Sequence, residues 1–192
     1  MLRYYFLNKF LIGFVFVSFF FKPSYAENKF VIEVAGEASG RIEITLFPDL
    51  APLHVERIKA LVNSKSYDGV VFHRVIDGFM AQTGDVEFGN IQAFNPSLVG
   101  RGGSSFPNLP SEFSDTPFVE GTVGMARSQD PNSANSQFFI MFKPAPHLNN
   151  KYTVFGMVSS GMEVLNKIKK GNSKQNGAVN NPDIMKKVYI EK

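Results

Sequence analysis

From residue 40 to 47 the chain alternates, with Ile42, Ile44 and Leu46 set against Arg41, Glu43 and Thr45. Side chains of a strand point to its two faces in turn, so this period of two predicts a half-buried strand over 40–47. Residues 30–35 read as a strand before it, with Gly36 to Gly40 as a turn of hairpin length. The period then lengthens. Pro52 opens a helix, along which Val55, Ile58, Leu61 and Val62 form one apolar stripe. Short strands follow at 70–76 and 79–82, joined through Asp77-Gly78. Residues 84–121 are rich in Gly, Pro, Ser and Asn and read mostly as loop, which at that length points to function. Strands resume at 122–127, 136–142 and 153–158. Ser160-Gly-Met-Glu163 has capping-box spacing, with Val164, Leu165 and Ile168 as the buried face of a second helix. Lys167, Lys169 and Lys170 suit that helix's C-terminal end, and Gly171 is the expected stop. Residues 183–191 read as a closing strand. Many short strands with two helices predict a mainly β barrel or sandwich with helical caps.

Composition narrows the chemistry. A chain of 192 residues suits one domain. It has no cysteine, which excludes a disulfide framework, a thiol nucleophile and a thiolate metal site, and its three histidines are scant material for a metal centre. The net charge of +3 suggests a basic protein, but its source is local. Residues 1–26 hold Arg3, Lys9 and Lys22, no acid, and an apolar run from Phe10 to Phe21. That run is short of the roughly 20 residues that span a bilayer. A basic start, a short apolar middle and a Ser24-Tyr25-Ala26 end describe a secretory signal peptide cut after Ala26, with an uncleaved anchor as the alternative. The remaining chain, 27–192, has 17 basic and 17 acidic residues, so nothing in it asks for nucleic acid. Export, most simply to a bacterial periplasm, suits a cysteine-free domain. No heptad or large apolar stripe argues against a monomer.

Two segments carry chemistry. Phe72-His-Arg-Val-Ile-Asp-Gly-Phe-Met-Ala-Gln-Thr-Gly-Asp85 resembles the signature of the cyclophilins, the peptidyl-prolyl cis–trans isomerases, and Ser136-Gln-Phe-Phe-Ile140 resembles their second signature. Gly100-Arg-Gly-Gly103, Gly124-Met-Ala126 and Val154-Phe-Gly156 fall in the family's order. The resemblance covers nearly all of 30–190. It implies a closed eight-stranded antiparallel β-barrel capped by two α-helices, with the site on the outer face. It also implies a reaction in which no bond is made or cut, so no nucleophile, metal or cofactor is required. Rotation about a peptide bond must break resonance against a barrier of about 18–20 kcal/mol.

Arg74 is the expected catalytic residue. Its guanidinium keeps its proton at neutral pH and can donate to the prolyl nitrogen lone pair that appears only when resonance breaks. Without the surrounding motif, a surface arginine paired to an acid would be the better reading. By resemblance, Phe79, Met80, Phe139 and Leu148 line the proline pocket, Gln82 and Gln137 bond substrate backbone or orient the arginine, and the backbone of Ala126 and Arg127 pairs with the residue before proline. Gly100 turns the chain beside the pocket. Phe138 should point the other way from Phe139, into the core. His73 should likewise face inward with a hydrogen-bond partner, while His54 should lie near the surface of the first helix.

The chain departs from familiar members at Arg127, where many have Asn, at Tyr152, where many have His, and at His147, where they have Trp. The family's tryptophan helps bind cyclosporin, so weak affinity for that drug is the expectation. The implied partners are proline-containing, unfolded or partly folded polypeptides. The alternative is a cyclophilin-fold, proline-binding chaperone with little turnover.

Overall fold

The computed structural model describes residues 29–191. The signal-peptide reading of 1–26 therefore lies outside the described residues. Nine strands form one antiparallel sheet: β1 (Lys29–Ala35), β2 (Gly40–Leu46), β3 (Val70–Val71), β4 (Arg74–Ile76), β5 (Met80–Thr83), β6 (Thr122–Met125), β7 (Phe138–Met141), β8 (Val154–Ser160) and β9 (Ile184–Glu191). Two helices accompany it, α1 (Pro52–Asn63) and α2 (Met162–Lys167). The sheet order is β3-β9-β1-β2-β8-β6-β7-β5-β4.

The expected closed, eight-stranded count is corrected here. β3 and β4, the two ends of the order, share no ladder. They are joined by only Phe72 and His73, so the sheet rolls round until its edges meet along one bent run of chain. Phe72 still follows the β3–β9 register, its amide donating to the Asp183 carbonyl just ahead of β9, and the His73 carbonyl then accepts from the Val179 amide.

Period two decides what is inside. In β2 Ile42, Ile44 and Leu46 are buried, and β1 adds Phe30, Ile32 and Val34 to the same core. Phe138 is fully buried, packed edge-on against Phe30, Tyr67 and Phe155 at centroid distances of 5.6, 5.7 and 6.0 Å. α1 lays Val55, Ile58, Leu61 and Val62 onto this core as its pattern predicts. β7 is shorter than the sequence suggested because side chains replace the ladder at its start. The Ser136 hydroxyl donates to the Gly84 carbonyl, and Tyr67 donates to the Ser136 carbonyl.

Helix ends differ most from expectation. Ser160 is spent in β8, so no capping box forms. α2 starts after Gly161, whose φ of +93° is open to glycine without steric cost. It stops at Lys167, ahead of Lys169, Lys170 and Gly171. The buried Asp183 carboxylate takes the Lys169 amide just beyond it.

α1 begins at Ala51 with no capping side chain and no acid in its first turn. Glu112, in the long loop, supplies both. Its carboxylate accepts from the backbone amides of Leu53 (3.1 Å) and His54 (3.0 Å), and from His54 Nδ1 (2.6 Å). His54 is consequently fully buried, not near the surface, and burial pushes its pKa down. Glu112→Ala strips two amides and a buried imidazole of their acceptor. It is expected to destabilise the fold by about 2 kcal/mol. Denaturant unfolding checks this.

Candidate active site

The strands that send Phe138, Ile140, Ala81 and Val75 inward send their neighbours outward. Across the sheet, Arg74 pairs with Gln82, Gln82 with Phe139, and Phe139 with Gly124, one row on the outer face of β4, β5, β7 and β6. Met80, Phe118, Phe139, Met141, Leu148 and Val154 form a second apolar cluster there. Gly124 makes room for it. A Cβ at that position would lie 2.7 Å from both the Phe118 and Phe139 rings. Those rings stack at 5.6 Å, and Tyr152 stands edge-on to Phe139 at 5.6 Å.

The result is a cavity of about 200 Å³ lined by Arg74, Phe79, Met80, Gln82, Ala126, Arg127, Phe139, Leu148 and Tyr152. Small-molecule sites usually run from about 300 to 1,000 Å³, so this one suits a single small side chain. A more polar hollow of about 330 Å³ adjoins it, sharing Gln82, Ala126 and Arg127 and adding Gly100 and Gln137. Gly100 has φ +91° and packs over the His73 ring, the turn expected of it. His147 does not line the cavity. It sits outside, stacked on Phe79 at 5.8 Å. A roomier cleft of about 750 Å³ near Ser64–Ser66 and Ser104–Phe106 contains none of these residues.

Arg74 is held from two sides. Nη1 donates to Gln82 Oε1 (3.1 Å) and more weakly to the Met80 sulfur (3.8 Å). Nε donates to the Asn176 carbonyl (3.0 Å), and Nη2 donates to Asn176 Oδ1 (3.0 Å). A guanidinium has five N–H groups. These contacts use four, leaving one on Nη2. Burial draws its pKa below the ordinary arginine value, but a guanidinium remains protonated in proteins. Asn176 has no signal near Arg74 in the sequence, being 102 positions away. The only hint is local. Asn before Gly favours the left-handed turn that Asn176 adopts at φ +53°.

Arg127 and Tyr152, two of the three departures noted in the sequence, touch each other. The guanidinium lies 4.4 Å above the Tyr152 ring, and its nitrogens donate to the carbonyls of Lys151, Ser128 and Gln129. The pair forms one wall of the cavity.

Relatives agree with this geometry. Residues 29–190 match the family described as cyclophilin type peptidyl-prolyl cis-trans isomerase/CLD. A Brucella suis protein named "Probable peptidyl-prolyl cis-trans isomerase" is 58% identical over 166 residues, covering 86% of this chain and 83% of its own. Human peptidyl-prolyl cis-trans isomerase-like 3 is 42% identical over 135 residues, covering 68% and 77%. A crystal structure of a Cryptosporidium parvum cyclophilin type peptidyl-prolyl cis-trans isomerase, obtained in the presence of the dipeptide Ala-Pro, superposes with a TM-score of 0.71. It is 27% identical and covers 85% of this chain and 99% of that one. The chain belongs to the cyclophilin-type peptidyl-prolyl cis–trans isomerases. Its enzyme activity is that of the family, acceleration of rotation about X-Pro bonds.

His73, next to Arg74 in this cyclophilin, does point inward as expected, where the Val71 backbone and the Gln137 side chain favour its proton though neither makes a well-aligned hydrogen bond to the ring. Burial drives its pKa down to about 4, against the pull of the Asp85 carboxylate. The folded chain therefore refuses a proton that an unfolded histidine, with its ordinary value of 6.5, accepts. Stability is complete above that value and is lost as pH falls toward 4, at up to about 1.4 kcal/mol per pH unit. His54 acts in the same direction. Equilibrium unfolding between pH 7 and 4 should show this fall, and His73→Gln should flatten it.

Proposed function

We propose that Arg74 stabilises the transition state for prolyl rotation, with the proline ring held in the 200 Å³ cavity. The observation behind this is the one N–H left on a guanidinium otherwise fixed by Gln82 and Asn176. When resonance breaks, the prolyl nitrogen gains a lone pair that this N–H can meet. The bond is absent in the planar ground state, so it lowers the barrier selectively. Each tenfold in rate needs about 1.4 kcal/mol of such preference. Phe79, Met80, Phe139 and Leu148 grip the ring and keep water away, which strengthens the arginine's electrostatic pull. The Ala126 amide is already bonded to the Gln137 carbonyl. Pairing with the residue before proline therefore falls to the Arg127 backbone.

The substrates are proline-containing, unfolded or partly folded polypeptides, met outside the cytoplasm after removal of residues 1–26, most simply in a periplasm. The enzyme acts as a monomer. Cyclosporin binds weakly, because His147 offers a smaller ring than tryptophan and spends it on Phe79.

Arg74→Ala is expected to lower the isomerisation rate of a short X-Pro peptide by about 100-fold or more while the fold and peptide binding persist. NMR exchange on the purified protein measures both. Binding by the wild-type protein without faster exchange would make it a proline-binding chaperone. For export, mass spectrometry of the secreted protein should find Glu27 as its first residue. Full-length chain in the membrane fraction would show an uncleaved anchor.

A further inference from the structure

A glutamine amide has a donor end and an acceptor end, and either can face a neighbour. Gln82 and Gln137 lie between two groups without that freedom. Arg74 Nη1 can only donate, and the Gly102 carbonyl can only accept. The chain runs Arg74 Nη1 to Gln82 Oε1 (3.1 Å), Gln82 Nε2 to Gln137 Oε1 (2.9 Å), and Gln137 Nε2 to the Gly102 carbonyl (2.8 Å). With these two ends, only one orientation of each amide satisfies every link. If the Gly102 carbonyl moves away, Gln137 is free to turn its Nε2 toward Gln82. Gln82 must then turn its own Nε2 toward the guanidinium, donor against donor.

The loop that carries the Gly102 carbonyl is held chiefly by one side chain, with a longer bond from the Gly103 amide, in the same peptide group as that carbonyl, to Glu87 Oε2 (3.3 Å). Asp85 is fully buried, and Oδ2 accepts from the backbone amides of Gly100 (2.7 Å) and Gly102 (3.0 Å). Oδ1 accepts from those of Glu87 (3.1 Å) and Phe88 (2.9 Å). Among the described residues it forms no ion pair with a basic side chain, so four amides stabilise its charge. Gly102 lies so close over the Asp85 carboxylate that a Cβ would collide with it.

We propose that Asp85 is a positioning residue for Arg74. By fixing the Gly102 carbonyl, it sets the direction of the hydrogen-bond chain that presents Gln82 Oε1, and not Nε2, to the guanidinium. This rests on the role of Arg74 given above. Asp85 does not line the proline cavity and acts only through the chain.

Asp85→Asn tests it, because an amide there turns an N–H₂ group against backbone N–H groups. Losing one oriented hydrogen bond at Arg74 should lower kcat about tenfold. KM for a short X-Pro peptide should stay within about twofold, since Phe79, Met80, Phe139 and Leu148, which grip the proline ring, are unchanged. The Gln137 side-chain N–H₂ signals should lose their protection from solvent exchange, a readout that does not depend on catalysis. Asp183→Asn is the control. It makes the same change at another buried carboxylate that accepts backbone amides, those of Ala38 and Lys169. It should lower Tm but leave kcat unchanged.

The proposal is overturned by folded Asp85→Asn with wild-type kcat, by an equal kcat loss in Asp183→Asn, or by unmoved Gln137 signals. Should Asp85→Asn fail to fold, Gln137→Met decides. It can no longer accept from Gln82 Nε2, so the link that turns Gln82 Oε1 toward Arg74 is gone, and undiminished kcat there overturns the proposal. Arg74→Ala is measured alongside. If it too keeps the full rate, the role of Arg74 fails; if it is inactive while Asp85→Asn is fully active, only the positioning role fails.

Discussion

The site depends on strand register. Arg74, Gln82, Phe139 and Gly124 share one row because β4, β5, β7 and β6 are paired in one particular way. A slip of one residue in β4 would put Val75 on the outer face and drive the Arg74 guanidinium into an apolar interior. The core enforces the register that the chemistry needs. Phe138 and Ile140 anchor β7 from within, and Phe139 between them is thereby aimed outward. Fold stability and site geometry are the same set of contacts seen from two sides of one sheet.

A fixed row would serve little if the arginine at its end could swing freely. A long side chain loses up to about 2 kcal/mol of conformational entropy when it is ordered, and here folding bears that loss before any substrate arrives. Gln82 and Asn176 clamp the guanidinium edges, and the ring cluster beneath lowers the local dielectric. The guanidinium is therefore oriented before any substrate arrives, the condition under which the proposed donor would favour a transition state over a ground state.

Much of this was legible in the residues. The alternation in β2, the stripe on α1 and the inward Phe138 follow from local periodicity, and the cluster of Phe79, Met80, Phe139 and Leu148 follows from the family resemblance. What escaped depends on contacts between distant segments. Glu112 caps α1 from 58 positions away and pulls His54 inside, and neither effect leaves a trace near Pro52. The nine-strand count turns on two residues, Phe72 and His73, which separate β3 from β4 and bond to Asp183 and Val179. Ser160 could serve β8 or cap α2, and sheet pairing won. Arg127 and Tyr152 read as separate departures from the family, but in space they form a single stacked pair.

The position of Asn176 has a consequence for how the molecule comes into being. Arg74 belongs to the first half of the chain, but Asn176, one of its two clamps, comes just ahead of β9. That strand, β9, lies between β1 and β3 in the sheet. Residues 75–175 must therefore be synthesised before the arginine can be braced on that side. A partly emerged chain already carries Phe79, Met80, Phe139 and Leu148 while that clamp is missing, so the pocket is complete in sequence before the arginine beside it is fixed.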